Sequence, residues 1–148
     1  MKMEHHRSIV MASLAGLAIA LLVVGVVSGT VLRHVVQIVP IAAALALVSR
    51  RPAIGAFAAL PIFIFWIFIV SLIWLFLMGL SRIANGHYTI AEILSTFVMA
   101  ICCVSGVVRA IAMGRPTPVA ARVLTFAGYA ALQVVAMWIS FTPSIANR

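Results

Sequence analysis

The chain has 148 residues, 66% hydrophobic and only 8% charged, with a mean hydropathy of +1.27. That composition excludes an ordinary water-soluble globule, which has too little interior to hide so much apolar surface, and it makes the lipid bilayer the expected surroundings of the chain. The formal charge of +8 does not imply nucleic acid: the ten basic residues (Lys2, Arg7, Arg33, Arg50, Arg51, Arg82, Arg109, Arg115, Arg122 and Arg148) fall at the edges of apolar runs and form no dense patch.

The first apolar run covers about 9–28 and follows the basic segment MKMEHHR. A secretory signal has the same polarity, and Val27-Ser28-Gly29 resembles a cleavage site. The run exceeds the roughly 7–15 residues of a signal core, which favours a retained span; cleavage would leave four helices. After the turn-prone Ser28-Gly29-Thr30, a second run covers about 31–48 and carries Arg33, His34, Gln37 and Pro40. It reads as a span or as a re-entrant hairpin, since proline is tolerated in lipid where neighbours satisfy the freed carbonyl.

The third run, about 54–80, is uncharged and rich in large side chains, with Pro61 as a place to bend. Asn85-Gly86 then marks a turn. Thr89-Ile90-Ala91-Glu92 fits the capping-box pattern that opens a helix, and a carboxylate also suits the positive end of the helix dipole. The fourth run therefore covers about 90–112; a connector, Met113 to Pro118, leads to the fifth, about 119–141. The chain reads as all-α, one polytopic transmembrane helical bundle of five spans in a single domain.

Five spans put the termini on opposite sides. With the amino terminus inside, seven basic residues lie at the cytoplasmic face against Arg33, Arg82 and Arg148 outside, the arrangement expected of a bacterial inner-membrane protein. Small residues spaced along helix faces mark expected contacts: Gly25 to Gly29 in the first span, with Ala12, Gly16 and Ala20; Ser95, Cys102, Gly106 and Ala110 in the fourth; Thr125 and Gly128 in the fifth.

Polar groups in lipid should face protein or water. In the fifth run Arg122, Thr125, Tyr129, Gln133 and Ser140 share one stripe, and in the second Arg33 and Gln37 stand one turn apart. Counting from the outer boundary places Gln37, Ser95, Thr96, Tyr129 and Gln133 in one layer of the outer half, with Arg33, His34, Arg82 and Glu92 above it. These groups either bind one another and hold the helices in register, or form an outward-facing pocket for a small polar or lipid-like ligand, with Arg33, Gln37, Glu92, Ser95, Tyr129 and Gln133 as its candidates.

No catalytic set emerges. The chain has no aspartate, so neither a Ser-His-Asp triad nor a paired-aspartate protease can be assembled. Adjacent Cys102 and Cys103 lack metal-ligand or redox spacing, His5 and His6 read as a solvated tail, and no cofactor or metal is expected. The expectation is a non-enzymatic accessory, regulatory or structural subunit that packs with itself or a larger membrane complex. The alternative is a small transporter or ligand-binding protein that uses the outer polar layer.

Overall fold

In lipid no water bonds to a bare backbone N–H or C=O, so apolar segments of this length must close their hydrogen bonds internally as helices. The computed structural model describes residues 2–80, 88–113 and 117–146. The Asn85-Gly86 turn, Arg82, His87, Arg115 and Arg148 lie outside the described residues. The elements are α1 (Lys2–Val27), α2 (Val31–Arg50), α3 (Pro52–Leu77), α4 (Ile90–Ala112), α5 (Val119–Ser140) and the short α6 (Pro143–Ala146). The first five are long and apolar enough to cross a membrane, which makes this an all-α, multi-pass membrane protein.

Two boundaries differ from the hydropathy reading by more than two residues. The segment MKMEHHR is already helical, because a helix runs past the hydrocarbon as long as its side chains suit the interface; within it His6 is half-buried, with Nδ1 3.5 Å from Arg109, instead of lying in a solvated tail. Helix α3 stops at Leu77, short of residue 80. Gly79 adopts φ 74°, and the amides of Gly79 and Leu80 fold back onto Phe76 and Leu75 in a left-handed cap. Gly29, at φ 68°, ends α1 in the same way. Through Pro40, α2 is one unbroken 20-residue helix and not a hairpin.

The chain order makes α1 to α4 successive antiparallel neighbours. Helices α1 to α4 form a four-helix arrangement that closes where α4 packs along α1; α5 is added outside it, against α2 and α3. Among the described residues α4 and α5 do not touch, which leaves most of α5 facing outward. The core contains Leu14 and Leu17 of α1, Ile41 of α2, Ile62 and Phe63 of α3 and Cys103 of α4. Along α4 the division follows helical period, with Met99, Cys103, Gly106 and Ala110 buried while Ile101, Val104, Val108 and Ile111 face lipid.

Small residues permit the closest approaches, though not all those expected. A Cβ on Gly16 would stand 2.7 Å from Cys102 Sγ, and one on Gly106 would enter the Phe63 ring, so α1, α3 and α4 meet at these points. Gly25 abuts His34, but Gly29 lies beyond the end of α1, so the GxxxG is not one helix face. Nothing lies within 4 Å of a Cβ on Gly128, which is not a contact within the chain.

Gly55 is the tightest case. Its Cβ would fall 2.5 Å from the Cα and 2.6 Å from the N of Val48, backbone atoms that cannot rotate away. Gly55→Ala is expected to lower stability by about 1–3 kcal/mol, as overpacking does. Gly128→Ala should be neutral, or stabilising by up to about 1 kcal/mol through helix propensity. Thermal unfolding of the purified variants in detergent measures both.

Candidate functional site

The antiparallel order brings the C-terminal ends of α1, α3 and α5 and the N-terminal ends of α2 and α4 to one end of the bundle. Between them lies a cavity of about 560 Å³, within the range of small-molecule sites. Arg33, Tyr88, Glu92 and Phe141 surround its mouth. Below, the walls turn apolar with Leu21, Ile69, Met99 and Met137. Trp66 forms part of the lining eleven residues before Leu77, about 16 Å down at 1.5 Å per residue.

Each polar group at this end has an assignable role. The capping box at the start of α4 forms as expected: the Glu92 amide donates to Thr89 Oγ1 at 3.3 Å, and Glu92 Oε2 accepts from the Thr89 amide at 2.7 Å and its hydroxyl at 2.8 Å. The carboxylate is thus fixed through one oxygen while the residue lines the cavity. Arg33 lies with its guanidinium carbon 3.9 Å from the centre of the Phe141 ring, and its buried Nε has no acceptor among the described residues. Outside the spans, burial first and the Glu92 carboxylate second push the Tyr88 phenol up, while Arg33 opposes them. Tyr88 thus feels both charges at the mouth.

His34 is oriented by a chain of hydroxyls. Ser28 Oγ donates to Val24 O at 2.7 Å, so the 2.6 Å contact between Ser28 and Thr30 is a donation from Thr30. Thr30 O then accepts the His34 Nδ1 proton at 3.0 Å, with Thr30 Oγ1 3.2 Å away. In the neutral ring this leaves Nε2 as an acceptor.

One turn deeper, Gln37 Nε2 donates to Ser140 Oγ at 2.9 Å and to Met137 Sδ at 3.3 Å, tying α2 to α5. Its two N–H groups are used and its carbonyl oxygen is not. Trp74 Nε1 donates to Thr96 Oγ1 at 3.1 Å and joins α3 to α4. Trp66 is only 3% exposed, and its buried Nε1 has no acceptor among the described residues.

The layer expected from sequence is therefore divided. Arg33, Gln37, Thr96 and Glu92 line the cavity together with His34. Ser95, Tyr129 and Gln133 do not. Ser95 Oγ donates to Ala91 O in its own helix at 2.8 Å, and Tyr129 packs half-buried against the core. Gln133 is fully buried on α5, and neither amide atom has a partner. The stripe on α5 is real as a helix face, but its lower part leads elsewhere: Arg122 Nε donates to Thr117 O at 2.7 Å and the guanidinium lies over Phe57.

Trp66 and Phe141 were not legible as site residues, being aromatic members of apolar runs, and Tyr88 stands alone between the Asn85-Gly86 turn and the cap of the fourth run. Ser28 and Thr30, which had read only as a turn, form the hydroxyl chain. A polar tie between Ser13 and Ser105, 3.1 Å apart across α1 and α4, was missed as well. No group of three or more metal-binding side chains occurs among the described residues. No family model, curated protein or solved structure matches this chain.

Two outcomes follow. A double-mutant cycle with Gln37→Leu and Ser140→Ala should show coupling of about 0.6–2 kcal/mol in unfolding, the range of membrane hydrogen bonds. Gln133→Leu, which removes an amide whose unmade bonds cost about 1–3 kcal/mol, should unfold at the same or a higher temperature than the parent protein.

Proposed function

We propose that the protein is a non-enzymatic binding protein that holds a small amphipathic molecule in the cavity at one end of its bundle. The single observation that carries this is the cavity itself, whose lining sets Arg33, His34, Gln37 and Glu92 beside apolar Leu21, Ile69, Met99 and Met137. The polar mouth and apolar walls further suit a molecule with a head and a tail. We place the protein in a bacterial plasma membrane with its amino terminus in the cytosol, because the basic residues divide seven to three in that direction. The cavity then opens away from the cytosol.

Native mass spectrometry of protein released gently from its own membranes tests the reading. The expected spectrum carries a bound amphiphile that is lost when Leu72→Trp fills the cavity. A folded parent protein with no adduct, or an adduct unchanged in Leu72→Trp, contradicts it.

A second reading, an accessory subunit that packs with itself or a larger complex, is favoured by one feature. Among the five long helices, α5 touches only α2 and α3 within the described residues and leaves Gly128 open. Cysteine cross-linking at Gly128 in native membranes should then give a discrete adduct; none would count against it.

A further inference from the structure

Among the described residues, the mouth of the cavity holds one cation and one carboxylate that do not neutralise each other. Arg33 and Glu92 both line it, and the contacts that hold each are not with the other. Each is instead held by other means, Glu92 by the cap on Thr89 and Arg33 by the Phe141 ring. Opposite charges that share a half-buried site without pairing are poised for a ligand that carries both signs, since a singly charged head would approach one and be repelled by the other.

The hydrogen-bond assignments refine this. Three acceptors have no donor among the described residues: the second oxygen of Glu92, the Gln37 carbonyl and, in neutral His34, Nε2. On the donor side, the guanidinium of Arg33, over the Phe141 ring, has no acceptor among the described residues. An ammonium that carries N–H bonds fits the first set, and a phosphate or carboxylate fits the guanidinium. A quaternary ammonium has no N–H to give and would leave those acceptors unmatched.

We infer that the cavity selects an amphiphile whose head is a zwitterion of the aminoethyl-phosphate type, with its primary ammonium between Glu92, His34 and Gln37, its phosphate on Arg33, and its acyl portion along Leu72, Met99 and Met137. This rests on the binding function proposed above and adds to it the chemistry of the head.

The test is titration of the detergent-purified protein, followed by native mass spectrometry, with four probes: short-chain phosphatidylethanolamine, phosphatidylglycerol and phosphatidylcholine, and free phosphoethanolamine. Short-chain phosphatidylethanolamine should bind roughly tenfold more tightly than the other two lipids, the worth of one charge-assisted hydrogen bond. Glu92→Gln, which retains the capping box, should erase that preference while the protein still elutes as the folded species. Arg33→Gln should weaken all three lipids.

Equal binding of the glycerol or choline lipid would overturn the head assignment and leave the cavity's binding role standing. Free phosphoethanolamine binding as tightly as its lipid would support the head assignment but remove the amphiphile from the proposed function. Failure of all four probes to bind would overturn both.

Discussion

The structure depends on the absence of water around it. In hydrocarbon a polar atom finds no solvent partner, so each must be bonded within the protein, moved to an interface or left at a cost. That constraint closes the backbone into helices. It also sorts the side chains: most polar groups that face inward do so at one end, where α2, α4 and α5 contribute Gln37, Thr96 and Ser140. The remaining surface is Ile, Val, Leu and Phe directed at lipid.

Because lipid tails are as apolar as the core, helices gain little from burying leucine against leucine, and association relies on close fit and a few polar ties. The close fit appears at Gly16, Gly55 and Gly106. Helix α5 has less of it. It is joined through Gln37 to Ser140 and Met137, through Arg33 over Phe141 and through Arg122 over Phe57, and it buries a Gln133 amide with no partner. The cavity lies where this less closely fitted helix meets the tighter four, and Met137 and Phe141 of its C-terminal end form one wall. Loose packing there and a binding role are two aspects of one arrangement.

Much of the fold was legible in the sequence because the signals were strong and local. Uninterrupted apolar length marked α3, and Thr89 with Glu92 marked the start of α4 to the residue. The polar end was legible too, since topology and the 1.5 Å rise put Gln37, Thr96 and Glu92 at similar depth. Which of these groups converge was not, because depth along a helix says nothing about rotation around it. Ser95 and Thr96 are adjacent, yet only Thr96 lines the cavity. Gln133 matched Gln37 in depth but faces another part of the interface, and Trp66 carries its N–H within a run where every neighbour is apolar. Gly128 matched a small-residue pattern that the neighbouring helices never use.

The central claim is that one end of this lipid-embedded bundle holds a polar-mouthed space reached from the membrane face opposite Arg50 and Arg51. Cysteine accessibility tests it most directly. In a background with Cys102 and Cys103 replaced by alanine, single cysteines at Thr96 and Met99 of the lining and at Val98 and Ile101 of the lipid face are exposed to a membrane-impermeant maleimide from either side of sealed vesicles. Labelling of the lining positions from that face alone, with the lipid-facing pair silent, is the predicted result. Lining positions as unreactive as Val98, or reactive from the Arg50 side, would contradict it.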